Sequence, residues 1–187
     1  EYYDQDSWRG TLDLDGGALM NQASHYVDLL DWLIGPLDYI SASCSTLGRK
    51  IEAEDTAVLQ MKWLNGALGT MAVTMLTYPK NLEGSITILG ENGSVKIGGK
   101  AVNQIEYWYF RDKHPDDEKV QDVSYETTNV YGFGHLPYYV NVLDVLQKGD
   151  KPLCDAKEGL KSLEILIAAY RSAKSSAIVT FPLIENN

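Results

Sequence analysis

The sequence predicts an α+β domain: a largely antiparallel, open sheet of about six strands with helices packed on one face. Three observations carry that expectation. Between residues 37 and 110, six runs rich in β-branched and aromatic residues alternate with a period of two. Asn65-Gly66 and Asn92-Gly93 fall between neighbouring runs, as short hairpin turns require. On both sides of this block the apolar residues recur at helical spacing instead.

Taken in order, residues 1–14 are polar and aromatic without a period and read as an extended lead-in. Gly16-Gly17 frees the backbone for a tight turn. From Ala18 to Ile34, residues Leu19, Met20, Ala23, Tyr26, Val27, Leu30, Leu33 and Ile34 keep helical spacing until Gly35-Pro36 stops the run. The strand runs are expected at 37–48, 55–64, 67–77, 84–90, 94–98 and 104–110, and strands joined by such short turns pair antiparallel. Residues 111–129 are charged and poor in apolar side chains, so they read as a surface excursion or mobile loop. A helix is expected at 136–149, with Pro137 tolerated in its first turn and Gly149 as its stop. Another follows at 156–176, capped by Asp155, and a short strand in "AIVTFPL" closes the chain.

With 187 residues and 44% hydrophobic content, the chain is long enough to bury a full core, and a single domain over 1–187 is expected. A formal net charge of -10 argues against nucleic acid or an anionic membrane surface as the main partner. Cys44 and Cys154 stand far apart and outside any metal-ligand spacing, which fits a reducing compartment and suggests neither a zinc site nor a disulfide framework. No apolar run has the length of a membrane span, and no leader pattern is present. The chain opens on Glu1 rather than Met and is expected to be part of a longer protein. The aromatic run "IEYWYF" places large side chains on both faces of one strand. An exposed patch of that size marks an interface, and a homo-oligomer through the open sheet face is expected.

The first helix is the candidate site. At 100° per residue Asn21, His25, Asp28 and Trp32 share a narrow stripe. Such a stripe is either a solvated face or the lining of a site. A helix start behind two glycines also offers backbone N–H groups that can hold an anion or a sugar oxygen.

The segments "SWRGT" (7–11), "DGGALMNQASHYVDLLDWLIG" (15–35), "EAEDTAV" (52–58), "YPKNLEGSITILGENGSVKIGG" (78–99), "GFGHLPYY" (132–139) and "GLKSLEILIAAYRSAKSS" (159–176) together resemble the C-terminal domain of the Gfo/Idh/MocA oxidoreductases. Within that family the pattern is most similar to the bacterial UDP-N-acetylglucosamine and UDP-N-acetylglucosaminuronate 3-dehydrogenases. The resemblance covers essentially the whole chain, in the family's order.

It implies a substrate-binding and oligomerising α+β domain that works beside an N-terminal Rossmann domain. That partner domain would hold NAD or NADP, with no metal. No G-x-G-x-x-G turn after a strand occurs in these 187 residues, so the chain alone is expected to be inactive. The family's Asp-x-x-x-His reads here as Asn21-x-x-x-His25. An amide orients a hydroxyl by hydrogen bonds but does not take its proton. Proton removal then falls to His25, as general base or as partner of a lysine in the other domain. Asn21 is the expected ligand of the sugar hydroxyls, with Gln22 beside it.

Arg9 is the candidate for an anionic substrate group, since a guanidinium pairs with carboxylate or phosphate at two points. Its alternative is a salt bridge tying the lead-in to the sheet. Asp28 orients the helix or faces solvent, and His135 and Tyr139 edge the pocket or pack at a helix start. Trp63 and Trp108 are assigned to core or interface. A nucleotide-sugar or sugar substrate in the cytoplasm, within surface-polysaccharide (lipopolysaccharide) biosynthesis, is the expectation. Oxidation of a free sugar or inositol by the same family, and a non-catalytic assembly module, are the alternatives.

Overall fold

The computed structural model describes residues 2–127 and 132–183. The chain divides into two compact units, residues 1–77 with 154–187, and residues 78–153.

The first unit is built on a four-stranded antiparallel sheet. Its strands are β1 (Leu37–Ser45), β2 (Thr56–Trp63) and β3 (Leu68–Thr74), and the short β7 (Val179–Thr180) completes the order β3-β2-β1-β7. The turn between β2 and β3 has the expected chemistry: Gly66 takes φ +91° and its N–H reaches the Trp63 carbonyl at 2.9 Å, while the Asn65 side chain accepts from Ala67 N–H. The period of two is visible in burial. On β2, Ala57, Leu59, Met61 and Trp63 are buried, while Val58 and Gln60 between them are exposed.

The buried face packs against two helices, α1 (Ser24–Ile34) and α3 (Ala156–Ser175). Leu19, Ala23 and Val27 from the first helical segment, and Ile165, Leu166, Ala168 and Ala169 from α3, meet Ile40, Leu59 and Met61 in one core. Fully burying side chains of this size contributes about 1.5–3 kcal/mol each. Ser172 ties α3 to the sheet: its hydroxyl accepts from Ala42 N–H at 3.0 Å and donates to the Ala177 carbonyl at 2.6 Å. Asp155 caps α3 as its type predicts, accepting from Lys157 and Glu158 N–H.

The second unit has a three-stranded antiparallel sheet, β4 (Ile86–Gly90), β5 (Gly93–Gly98) and β6 (Gln104–Phe110), in sequential order. It also contains a 3₁₀ helix at Pro115–Val123 and α2 (His135–Lys148), which ends at Gly149 in the left-handed region.

The α+β class and antiparallel pairing follow the sequence pattern, with three differences of detail. The strands form two sheets of four and three, not one sheet of about six, because β3 pairs with β2 and β4 with β5, while the alternation of residues carries no information about pairing across residues 75–85. The expected loop at 111–129 contains the Pro115–Val123 helix, held at its start by a reciprocal cap. There His114 accepts from Asp116 N–H and Asp117 accepts from His114 N–H at 2.8 Å; residues 128–129 lie outside the described residues. Lastly, the lead-in is not extended: it is a run of turns, with Arg9 N–H bonded to the Asp6 carbonyl, Thr11 N–H to Trp8, and Gly16 N–H to Thr11.

Candidate active site

The site grows from the Gly16-Gly17 junction. Gly16 takes φ +75°, and a Cβ on Gly17 would overlap the carbonyl and carboxylate of Glu54, so both glycines are required by geometry. Residues 18–23 then form a wide π turn before α1 begins at Ser24. The 100° spacing therefore holds only from Ser24 onward, and Asn21 lies outside the regular stripe on which the sequence places it. A π turn is uncommon and recurs at functional positions.

The expected free N–H groups at this helix start are not free. Ala18 N–H donates to the Glu54 carbonyl at 2.8 Å and Leu19 N–H to Glu54 Oε1 at 2.8 Å. A carboxylate of the chain itself occupies the position where an anion or a sugar oxygen was expected.

Asn21 is the centre of a small network. Its Nδ2 donates to Asp15 Oδ1 and to the Tyr2 hydroxyl at 3.2 Å, and its Oδ1 accepts from Gln22 Nε2 at 2.8 Å. Asp15 in turn accepts from Gly10 N–H at 2.7 Å. The Arg9 guanidinium lies 4.1 Å above the Tyr2 ring, close to the Trp8 ring, and pairs with Asp6 at 3.0 Å. Its ionic partner thus belongs to the lead-in and not to the sheet. Asn21, Gln22 and Arg9 are brought together through Tyr2, a residue that sequence reasoning missed for want of any motif.

His25 is exposed at the start of α1, with its ring 4.5 Å from that of Tyr26. The desolvation it does experience pulls its pKa below 6.5. The imidazole is therefore neutral at pH 7 and able to accept a proton. Asp28 is exposed one turn further along. Burial first, and then the Asp28 charge, push the nearby Asp31 carboxyl up, against the pull of Lys161. His135 and Tyr139 lie on α2 in the second unit, both exposed. Beside the network an open cleft of about 320 Å³ is lined by Leu12, Asp13, Leu14, Asp15, Gly16, Met20 and Tyr170.

Two acidic residues of the "EAEDTAV" stretch organise the surroundings, and the sequence gives no sign of it beyond their adjacency. Glu54 and Asp55 are both buried. Asp55 accepts from the N–H groups of Leu47, Gly48 and Arg49 and from the Thr56 hydroxyl. Burial raises its pKa, but these bonds outweigh burial and hold it below the ordinary 3.8. Cys44 and Cys154 are both free thiols, and burial followed by the Glu54 charge pushes Cys44 up to about 11. Among the described residues no group of three His, Cys, Asp or Glu side chains is placed to hold a metal ion. No described helix is long and apolar enough to cross a membrane.

The chain's helix-covered antiparallel sheet is of the alpha/beta class that the matching family specifies. Residues 1–181 match the family description "Oxidoreductase family, C-terminal alpha/beta domain". The chain belongs to that family, the Gfo/Idh/MocA oxidoreductases.

Among solved structures, it is similar to the WlbA dehydrogenase from Bordetella pertussis in complex with NADH and UDP-GlcNAcA. The identity is 57%, the TM-score is 0.93, and 98% of this chain and 53% of that one are covered. The WlbA dehydrogenase of Chromobacterium violaceum, also with NADH and UDP-GlcNAcA, is likewise 57% identical, at TM-score 0.90 over 98% of this chain and 51% of that one. A levoglucosan dehydrogenase shares the fold at 18% identity and TM-score 0.75, with 95% of this chain and 54% of that one covered. An oxidoreductase of Synechocystis sp. is 25% identical over 154 residues, 74% of this chain and 41% of its own length. The chain thus spans about half the length of the solved relatives.

Proposed function

We propose that residues 1–187 form the substrate-binding and oligomerising domain of an NAD-dependent dehydrogenase. That enzyme oxidises the 3-hydroxyl of a UDP-linked N-acetylhexosamine or its uronic acid. One observation carries the reading: 57% identity over 98% of the chain to two dehydrogenases whose structures hold NADH and UDP-GlcNAcA.

The chemistry of the site agrees with it. Oxidising a secondary alcohol needs a base within hydrogen-bond reach of the hydroxyl and a hydride acceptor across the carbon. Bound NAD would supply that acceptor. On this chain His25, neutral at pH 7, takes the hydroxyl proton, directly or together with a lysine of the cofactor domain. Asn21 orients the sugar hydroxyls, its amide already aimed by Asp15 and Tyr2. Arg9, stacked on Tyr2, offers its remaining donors to the uronate or diphosphate. Gln22 extends the amide edge, and Asp28 fixes the charge around α1. The open sheet face marked by the "IEYWYF" run, where Tyr107, Trp108, Tyr109 and Phe110 of β6 are exposed, is the oligomerisation surface. The product, a 3-keto sugar, suits a later transamination in surface-polysaccharide (lipopolysaccharide) biosynthesis in the cytoplasm.

The test is NAD reduction by the full-length protein with UDP-N-acetylglucosaminuronate, UDP-N-acetylglucosamine, free glucose and inositol. Turnover confined to the UDP sugars supports the proposal, and turnover confined to free polyols overturns it.

A further inference from the structure

The helix that carries the base has no cap of its own. The π turn that leads into it has Gly17 as its N-cap, which has no side chain to offer, and Gly16 precedes it. A helix start leaves four N–H groups without partners inside the helix. Here those of Ala18 and Leu19 go to the main-chain and side-chain oxygens of Glu54. The Tyr170 hydroxyl lies against the same Glu54 carboxylate. That hydroxyl donates in turn to Glu54 Oε1 at 2.9 Å. Glu54 is only 6% exposed and enters from the residues just before β2, while Tyr170 enters from α3. Two residues distant in sequence thus meet at the helix start, Glu54 holding two of its N–H groups and Tyr170 holding the Glu54 carboxylate.

The turn they close is the π turn of residues 18–23, a conformation that persists only where its surroundings enforce it. We propose that Glu54 and Tyr170 are positioning residues for the dehydrogenase reaction. Together they hold the π turn, and through it fix the direction of Asn21 and His25 toward the sugar. Neither touches substrate in this account, which rests on the function proposed above. Without them the segment relaxes toward regular α-helix, which rotates Asn21 relative to His25.

The experiment combines kinetics of the full-length enzyme with the NMR titration of His25, whose imidazole is one of three in the chain, the others being His114 and His135. Tyr170→Phe removes one hydroxyl and nothing else. Glu54→Ala removes both side-chain acceptors, and Glu54→Gln keeps an oxygen that can accept from Leu19 and Tyr170. Expected are a shifted His25 resonance and titration midpoint in Tyr170→Phe and Glu54→Ala. In the same two variants kcat falls on the order of ten- to a hundredfold with KM little changed, the pattern of a misplaced reacting group. Glu54→Gln is expected to recover most of the loss.

Parental kcat and an unmoved His25 signal in Tyr170→Phe would overturn the proposal, as would equal losses in Glu54→Ala and Glu54→Gln. Should Glu54→Ala fail to fold, Tyr170→Phe decides. If the parent turns over no UDP sugar, the proposed function falls, while the His25 resonance still reports whether Glu54 and Tyr170 position the helix.

Discussion

The two helices α3 and α2 follow the same amphipathic rule and meet opposite fates. On α3, Ile165, Leu166, Ala168, Ala169 and Ser172 are buried against the first sheet. On α2 no residue is buried, and Leu136, Tyr139, Leu143 and Leu146 are each more than half exposed. The units they belong to differ likewise: the entire hydrophobic core cluster lies in residues 19–183 of the first unit, while the second buries Ile86 and little else of its apolar content. A helical pattern in sequence therefore reports a face that needs covering, and it does not say what covers it. The candidates Asn21 and His25 sit on the unit that holds the packed core, as a precise site requires.

The largest expected effect tests where the chemistry resides. His25→Ala in the full-length enzyme is expected to lower kcat by about two to four orders of magnitude, the usual share of acid–base catalysis. His135→Ala and Tyr139→Ala, on the second unit, are expected to lower kcat far less. A steady-state comparison of the three variants breaks the contrast if the α2 residues cost as much as His25. The depressed pKa of His25 adds a pH signature, because the neutral form is the active one. The logarithm of kcat/KM should climb as pH rises and level off through a midpoint below 6.5.

Stability probes the same contrast. Leu59→Ala, at the centre of the first core, is expected to cost about 2–5 kcal/mol in urea unfolding. Leu143→Ala on α2 is expected to cost less than about 0.5 kcal/mol in this chain. A large cost for Leu143 in the full-length protein would show that the α2 face is covered there.

Asp55→Asn comes next, expected at about 1–3 kcal/mol, because an amide replaces one acceptor oxygen with donors facing other donors. The Asp55 pKa is lowered in the folded state, so its contribution is full above the unfolded pKa and disappears as pH falls through the lower folded value. Acid unfolding of the parent should steepen below about pH 3.8, and Asp55→Asn should remove that component. Arg9→Lys gives the smallest change: a loss of affinity greater for the uronate sugar than for its neutral counterpart. Equal losses would leave Arg9 as the partner of Asp6 and Tyr2 only.

How far the sequence led is clearest in particular residues. Period-two runs, the Asn65-Gly66 turn, the Asp155 cap and the Gly149 stop all mark local geometry, and each element they predict is present. Sheet partition was not legible, because pairing of β3 or β4 with other strands depends on contacts far apart in sequence. At the candidate site, Asn21 and His25 entered as candidates through a resemblance of motifs, and the structure adds their neighbours. Tyr2, Glu54 and Tyr170 were not legible, since their roles arise from three distant segments meeting at one helix start. The π turn escaped as well, since nothing in the propensity of "ALMNQA" marks it.

The most direct test of the central claim is a single assay on the full-length enzyme: NADH formation with UDP-N-acetylglucosaminuronate, parent beside His25→Ala. The account predicts clear turnover by the parent, with a 3-keto sugar as product, and a loss of at least about a hundredfold in the variant. Turnover by His25→Ala at the parental rate, or no turnover by the parent while a free polyol is oxidised, would contradict it.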